Sequence, residues 1–149
     1  MIAAAVEPRL KIHVVALAGG SLPDILMSSK DTLLTKPMAR YLERNHMDKA
    51  TLERLLRQHV KTDPVLLAPY VDSSNMLMMI AWFDHTIGRT NALRLWRALG
   101  RPEAVFLHFG HYTSYLALPY IKHTALRFFN ARLIPTAPAP RKSSAWRFR

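Results

Sequence analysis

Three short apolar runs, residues 12–18, 76–82 and 104–107, constrain the fold more than any other feature of the chain. None shows strict polar–apolar alternation, so each predicts a strand buried on both faces. The first is expected to be a central strand. Between the second and third runs, Ala92, Leu95, Trp96 and Leu99 recur at helical spacing. Thr90 is the expected N-cap of that helix, and Gly100 followed by Pro102 is its expected stop. A strand, a helix and a strand in succession imply parallel neighbours joined by a crossover. The fold class expected is α/β, with a parallel sheet of about three strands, flanking helices and a helical insertion.

The remaining segments fit around that sheet. Residues 1–7 are alanine-rich and end at Pro8, which predicts a short helix and looks like the tail of one that began upstream. Residues 21–37 contain turn-forming residues and predict an irregular stretch. Asp48 is positioned to cap a helix running to about Val60, with Leu52, Leu55, Leu56 and His59 on one face. A helical, cap-like insertion is therefore expected over about 37–62. Residues 113–133 favour helix, with Pro119 kinking it or starting a new one. Residues 134–149 are basic and rich in Pro, Ala and Ser, which predicts disorder. One domain, 1–133, is expected.

Composition narrows the chemistry. The absence of cysteine removes disulfides, thiolate metal sites and a thiol nucleophile, and suits a reducing compartment, slightly favouring the cytoplasm. No apolar run reaches the ~20 residues of a membrane span. Arg9 and Lys11 before an apolar run faintly resemble a signal peptide, but Glu7 and Pro8 do not fit its charged start. The net charge is +11, and every acidic residue lies at or before Glu103. A basic end can attract phosphates, but these cations are scattered, so a solvated surface and a loose tail are expected, with no specific nucleic acid partner.

In open α/β sheets, reactive groups gather beyond the carboxyl ends of the strands. Asp84 follows the second apolar run and His111 follows the third. A carboxylate beside an imidazole fixes its tautomer and stabilises the imidazolium, which is what a base serving a serine needs. The structural alternative for each is ordinary: Asp84 as a turn or cap residue, His111 as a buried, hydrogen-bonded histidine.

The stretch 76–121, with Trp82-Phe83-Asp84, residues 95–103 and Gly110-His111-Tyr112-Thr113, resembles the end of a bacterial α/β-hydrolase of the esterase or dienelactone-hydrolase-like kind. The resemblance implies that Asp84 is the triad acid and His111 the triad base, and that the substrate is a small ester or acyl compound. It implies no cofactor and no metal. It extends more weakly over residues 3–24, where the family places the helix after the nucleophile elbow and the next strand. The chain departs from the family in having no Gly-x-Ser-x-Gly. The expectation is a C-terminal portion of a serine hydrolase, inactive alone and lacking the oxyanion loop. A smaller departure is Gly88, where the family often has proline.

Rival readings use some of the same residues. Ser21 follows a strand, but Leu22-Pro23 suggests a loop and not an elbow, so no nucleophile is expected in this chain. His85, His108 and His111 could suggest a metal, yet no carboxylate or cysteine completes the cluster by sequence. Tyr112, Tyr115, Phe128 and Phe129 near Arg127 and Arg132 could form a stacking platform, though such spacing more often marks core. The alternative to a hydrolase portion is a non-catalytic α/β remnant that binds a partner or serves structurally. In either case a short parallel sheet with an open edge is expected to self-associate.

Overall fold

The computed structural model describes residues 1–133, so the expectation of disorder at 134–149 lies outside the described residues. The sheet has three parallel strands in the order β1-β2-β3, formed by β1 (His13–Ala16), β2 (Met76–Ala81) and β3 (Glu103–Leu107). Helices flank it, giving the partial α/β fold that the apolar runs predict.

All six residues of β2 are buried, because a central strand has a layer on each face. Its alternation divides the core in two. Met76, Met78 and Ile80 pack with Ala92, Leu95 and Leu99 of α6 (Arg89–Ala98) and its C-cap. Leu77 and Met79 pack with Leu107 and with Phe128 of α7 (Leu118–Leu133) on the opposite face. Leu95 and Met79 are wholly shielded from solvent. Burying each such side chain stabilises by about 1.5–3 kcal/mol.

The crossover helix α6 ends as its sequence predicts, with Gly100 at φ +77 just past Leu99. This left-handed position suits glycine. Its start differs. Gly88, at φ +84, is the N-cap and makes no side-chain cap bond, so Thr90 lies inside the helix. Pro119 falls in the first turn of α7, after a 3-10 turn at Thr113–Ala117. A proline there loses no helical hydrogen bond, so a new helix starts and no kink is needed.

Two expectations are corrected. β1 is an edge strand, not a central one: it pairs with β2 alone among the described residues, and none of its four residues is fully buried. The stretch 21–37 is helical, not irregular. α2 (Leu22–Ser28) starts with Pro23 in its first turn, and α3 (Thr32–Arg44) starts with the Asp31 side chain accepting from the Leu33 N–H. Asp31 supplies the cap that offsets Pro37 within α3, whose missing N–H removes one bond. α4 (Lys49–His59) is capped by Asp48, as its sequence predicts. α3 and α4 make most of residues 37–62 helical, as expected of that stretch, with α3 beginning before residue 37. A short helix at the chain start, α1 (Ile2–Val6), another, α5 (Pro64–Leu67), and a 3-10 turn at Ala68–Tyr70 complete the described elements.

Candidate active site

β2 and β3 run in parallel register, Ile80 opposite Phe106 and Ala81 opposite Leu107, so the loops that follow them leave the same rim. Pairing continues past the strands. Trp82 N–H donates to the Leu107 carbonyl at 2.8 Å and Phe83 N–H to the Phe109 carbonyl at 3.1 Å. Asp84 and His111 are thereby brought together. Asp84 Oδ2 lies 2.9 Å from His111 Nδ1.

Asp84 is 6% exposed, and both of its carboxylate oxygens have partners. Its Oδ1 accepts from the Thr86 and Ile87 backbone N–H groups, each at 2.8 Å. It therefore does close its own turn, as the structural alternative holds. Its second oxygen nonetheless reaches an imidazole in a different loop. With a carboxylate as acceptor, Nδ1 carries the proton, and Nε2 is left as a free acceptor for a hydroxyl. The His111 side chain keeps 26% of its surface, and among the described residues no hydrogen bond engages Nε2.

The histidine loop is held by its own network. The Gly110 carbonyl accepts from Ser114 N–H at 3.0 Å and Ser114 Oγ at 2.7 Å, and Gly110 N–H donates to Thr113 Oγ1 at 2.8 Å. Ser114 is buried, so that network is screened from water.

A second carboxylate stands beside the pair. Asp31 Oδ2 accepts from the Tyr112 hydroxyl at 2.6 Å and from Thr86 Oγ1 at 2.9 Å. The Tyr112 hydroxyl, the Leu33 N–H and Thr86 hold the Asp31 carboxyl below the usual carboxylate range, and the His111 charge adds to them. The same bond and the nearby Asp31 charge push the Tyr112 phenol up. Tyr112 is legible as part of the motif around His111. Asp31 is not: its only local signal is that of a helix cap, and its second oxygen meets residues far along the chain.

Ser21 is a more strained residue than its sequence suggests. It is left-handed, φ +64 and ψ +66, and leads straight into α2. Its backbone N–H donates to Asp63 Oδ1 at 2.9 Å, and its hydroxyl takes part in holding Asp24. It lines a cavity of about 300 Å³ with Arg57, Arg94, Asp63 and apolar side chains, none of them Asp84 or His111. No hydrogen bond joins Ser21 to His111.

His85 and His108 are exposed on their loops. Among the described residues, no three His, Asp or Glu side chains gather as a metal site. Phe128 is core, buried in the layer under β2, with the Arg132 guanidinium 3.6 Å from its ring centroid. Among the described residues no helix is long and apolar enough to cross a membrane.

No family model matches the chain. An uncharacterised protein of Bacillus subtilis, YdjC, is 28% identical over 104 residues, which are 70% of this chain and 87% of that protein. In structure the chain is similar to the acylaminoacyl peptidase of Pyrococcus horikoshii, with a TM-score of 0.59 and 15% identity over 87% of this chain. The chain spans 21% of that peptidase's length. At this identity the likeness is one of fold alone.

Proposed function

We propose that this chain contributes the acid and the base of a Ser-His-Asp triad that hydrolyses carboxylic esters or related acyl bonds. Asp84 orients the His111 ring and stabilises the imidazolium. His111 Nε2 removes the proton from a serine hydroxyl as that oxygen attacks the acyl carbon, then returns it to the leaving group. The observation that carries the reading is the 2.9 Å contact of Asp84 Oδ2 with His111 Nδ1. An Nε2 with no partner of its own is what such a base requires.

The serine comes from outside residues 1–149, on a Gly-x-Ser-x-Gly turn whose backbone N–H helps form the oxyanion hole. Without it the chain has no covalent route, so the 149-residue chain hydrolyses activated esters no faster than buffer. The likeness in fold to an acylaminoacyl peptidase supports acyl chemistry as the class.

The test has two arms. The 149-residue chain is assayed with p-nitrophenyl acetate and butyrate, where turnover abolished by His111→Ala would overturn the need for an external serine. The coding sequence before Met1 is read, and a protein extended to include any Gly-x-Ser-x-Gly is treated with a fluorophosphonate. Labelling and hydrolysis that both collapse in His111→Ala support the triad. An upstream stop codon with no such segment favours a non-catalytic α/β protein that binds a partner.

A further inference from the structure

Asp31 does more than a helix cap requires. Capping α3 uses only Oδ1, which accepts from the Leu33 N–H at 2.8 Å. Oδ2 is committed elsewhere, to Thr86 of the acid loop and Tyr112 of the histidine loop, which lie 55 and 81 residues further along the chain. The Lys30 N–H adds a bond to the His85 carbonyl at 3.3 Å. Three segments distant in sequence thus meet at one carboxylate.

The contacts close a ring. Asp84 Oδ1 holds the Thr86 N–H, Thr86 Oγ1 holds Asp31, Asp31 holds the Tyr112 hydroxyl, and His111 returns to Asp84 Oδ2. The Tyr112 ring meets the His111 ring edge-on, with centroids 5.4 Å apart at 80°. Tyr112 is half exposed, so its hydroxyl could turn to water, yet its bond of 2.6 Å to Asp31 is one of the short ones in the protein. A charge-assisted bond of that length fixes where the ring lies. A fixed Tyr112 ring in turn limits rotation and outward swing of the imidazole.

We infer that Asp31 is a positioning residue for the Asp84–His111 pair, locking the acid loop and the histidine loop together from the start of the helical insertion. The inference rests on the reading of Asp84 and His111 as triad members and assigns that site a third carboxylate-dependent part. It also gives the insertion a mechanical link to the imidazole: anything that lifts the start of α3 releases Tyr112.

The test is nitrogen-15 spectroscopy of the chain labelled at histidine, with the His111 signals assigned by their loss in His111→Gln. Asp31→Asn is the first variant, because asparagine caps a helix as well as aspartate but carries no charge. Tyr112→Phe is the second, because it removes one hydroxyl and keeps the ring. Asp84→Asn is the control. In the unmodified chain His111 is expected as a single Nδ1–H tautomer whose proton exchanges slowly with water. Both test variants should retain the wild-type circular dichroism and speed that exchange about tenfold, the change expected on losing one hydrogen bond to a charged group. An exchange rate and tautomer unchanged in both, with the control abolishing the signal, would reduce Asp31 to a cap. A signal unchanged in the control as well would remove the acid–base pairing itself, and the proposed function with it.

Discussion

A Cβ on Gly110 would stand 3.0 Å from the carbonyl oxygen of Phe83. That carbonyl belongs to the acid loop and Gly110 to the histidine loop, so the absence of a side chain sets how closely the two loops approach. The contact is with backbone, and Phe83 is tied to Phe109 by its own N–H, so neither side yields easily. Gly110→Ala is expected to cost about 1–3 kcal/mol through overpacking. It should also lengthen the Asp84–His111 contact. Urea unfolding measures the first, and loss of the slowly exchanging His111 ring proton measures the second.

Removing the carboxylate has a larger effect than its single imidazole contact implies. Asp84→Ala leaves the Thr86 and Ile87 N–H groups and His111 Nδ1 without their acceptor in a buried place. An orphaned buried donor costs about 1–3 kcal/mol. A loss of about 2–4 kcal/mol is expected, read as a fall in the urea midpoint with an unchanged slope. Asp84→Asn keeps one oxygen for the turn, so it should cost less while still disturbing His111. Equal losses for both variants would mean that Asp84 serves its turn and little else.

These sites differ in how much of them the sequence discloses. The apolar run at 76–82 and the stripe ending at Gly100 are local patterns with local causes, and β2, α6 and the rim positions of Asp84 and His111 follow from them. The first turn and a half of α3, residues 32–36, is hidden because Pro37 reads locally as a helix start and outweighs the single cap at Asp31. β1 looks central because its composition is apolar, but whether a strand has one neighbour or two is settled by chain segments far from it. The Asp31 bonds to Thr86 and Tyr112 are long-range for the same reason, and no spacing along the chain announces them.

Acid sensitivity should trace to Asp24. Burial pushes its carboxyl up, but bonds from Arg94, Ser21 and Arg57 outweigh burial and hold it at about 2. A folded value below the unfolded one means that the unfolded chain binds the proton more readily. The stabilisation is therefore present above the ordinary aspartate range and is lost as pH falls from about 4 to about 2. The arginines are about half exposed, so the contribution is screened by salt. Asp24→Asn should flatten the dependence of the melting temperature on pH between those limits, lowering the melting temperature at pH 7 and converging with the unsubstituted protein near pH 2. A slope that survives the substitution would assign the effect to other carboxylates such as Asp31, which is also held low.

The open side of β1 makes a prediction about association. His13 N–H donates to the Asn75 carbonyl and Leu17 N–H to the Met79 carbonyl, so the odd-numbered residues face β2. With a period of two, the N–H groups of Val14 and Ala16 point away from the sheet. The strand carries no proline, glycine or charge to discourage pairing, and such an edge is a template for another strand. The chain is expected to sediment as a concentration-dependent dimer or larger species. Ala16→Pro removes one outward donor, leaves the odd-numbered bonds to β2 intact, and should shift the equilibrium toward monomer without lowering the melting temperature of the diluted protein. If the unsubstituted chain sediments as a monomer at high concentration and unfolds in one sharp transition, the β1 edge is not a site of association. If Ala16→Pro leaves the oligomer unchanged, the contact lies elsewhere, and the exposed Tyr115, Leu116 and Tyr120 beside the histidine loop are the next surface to alter.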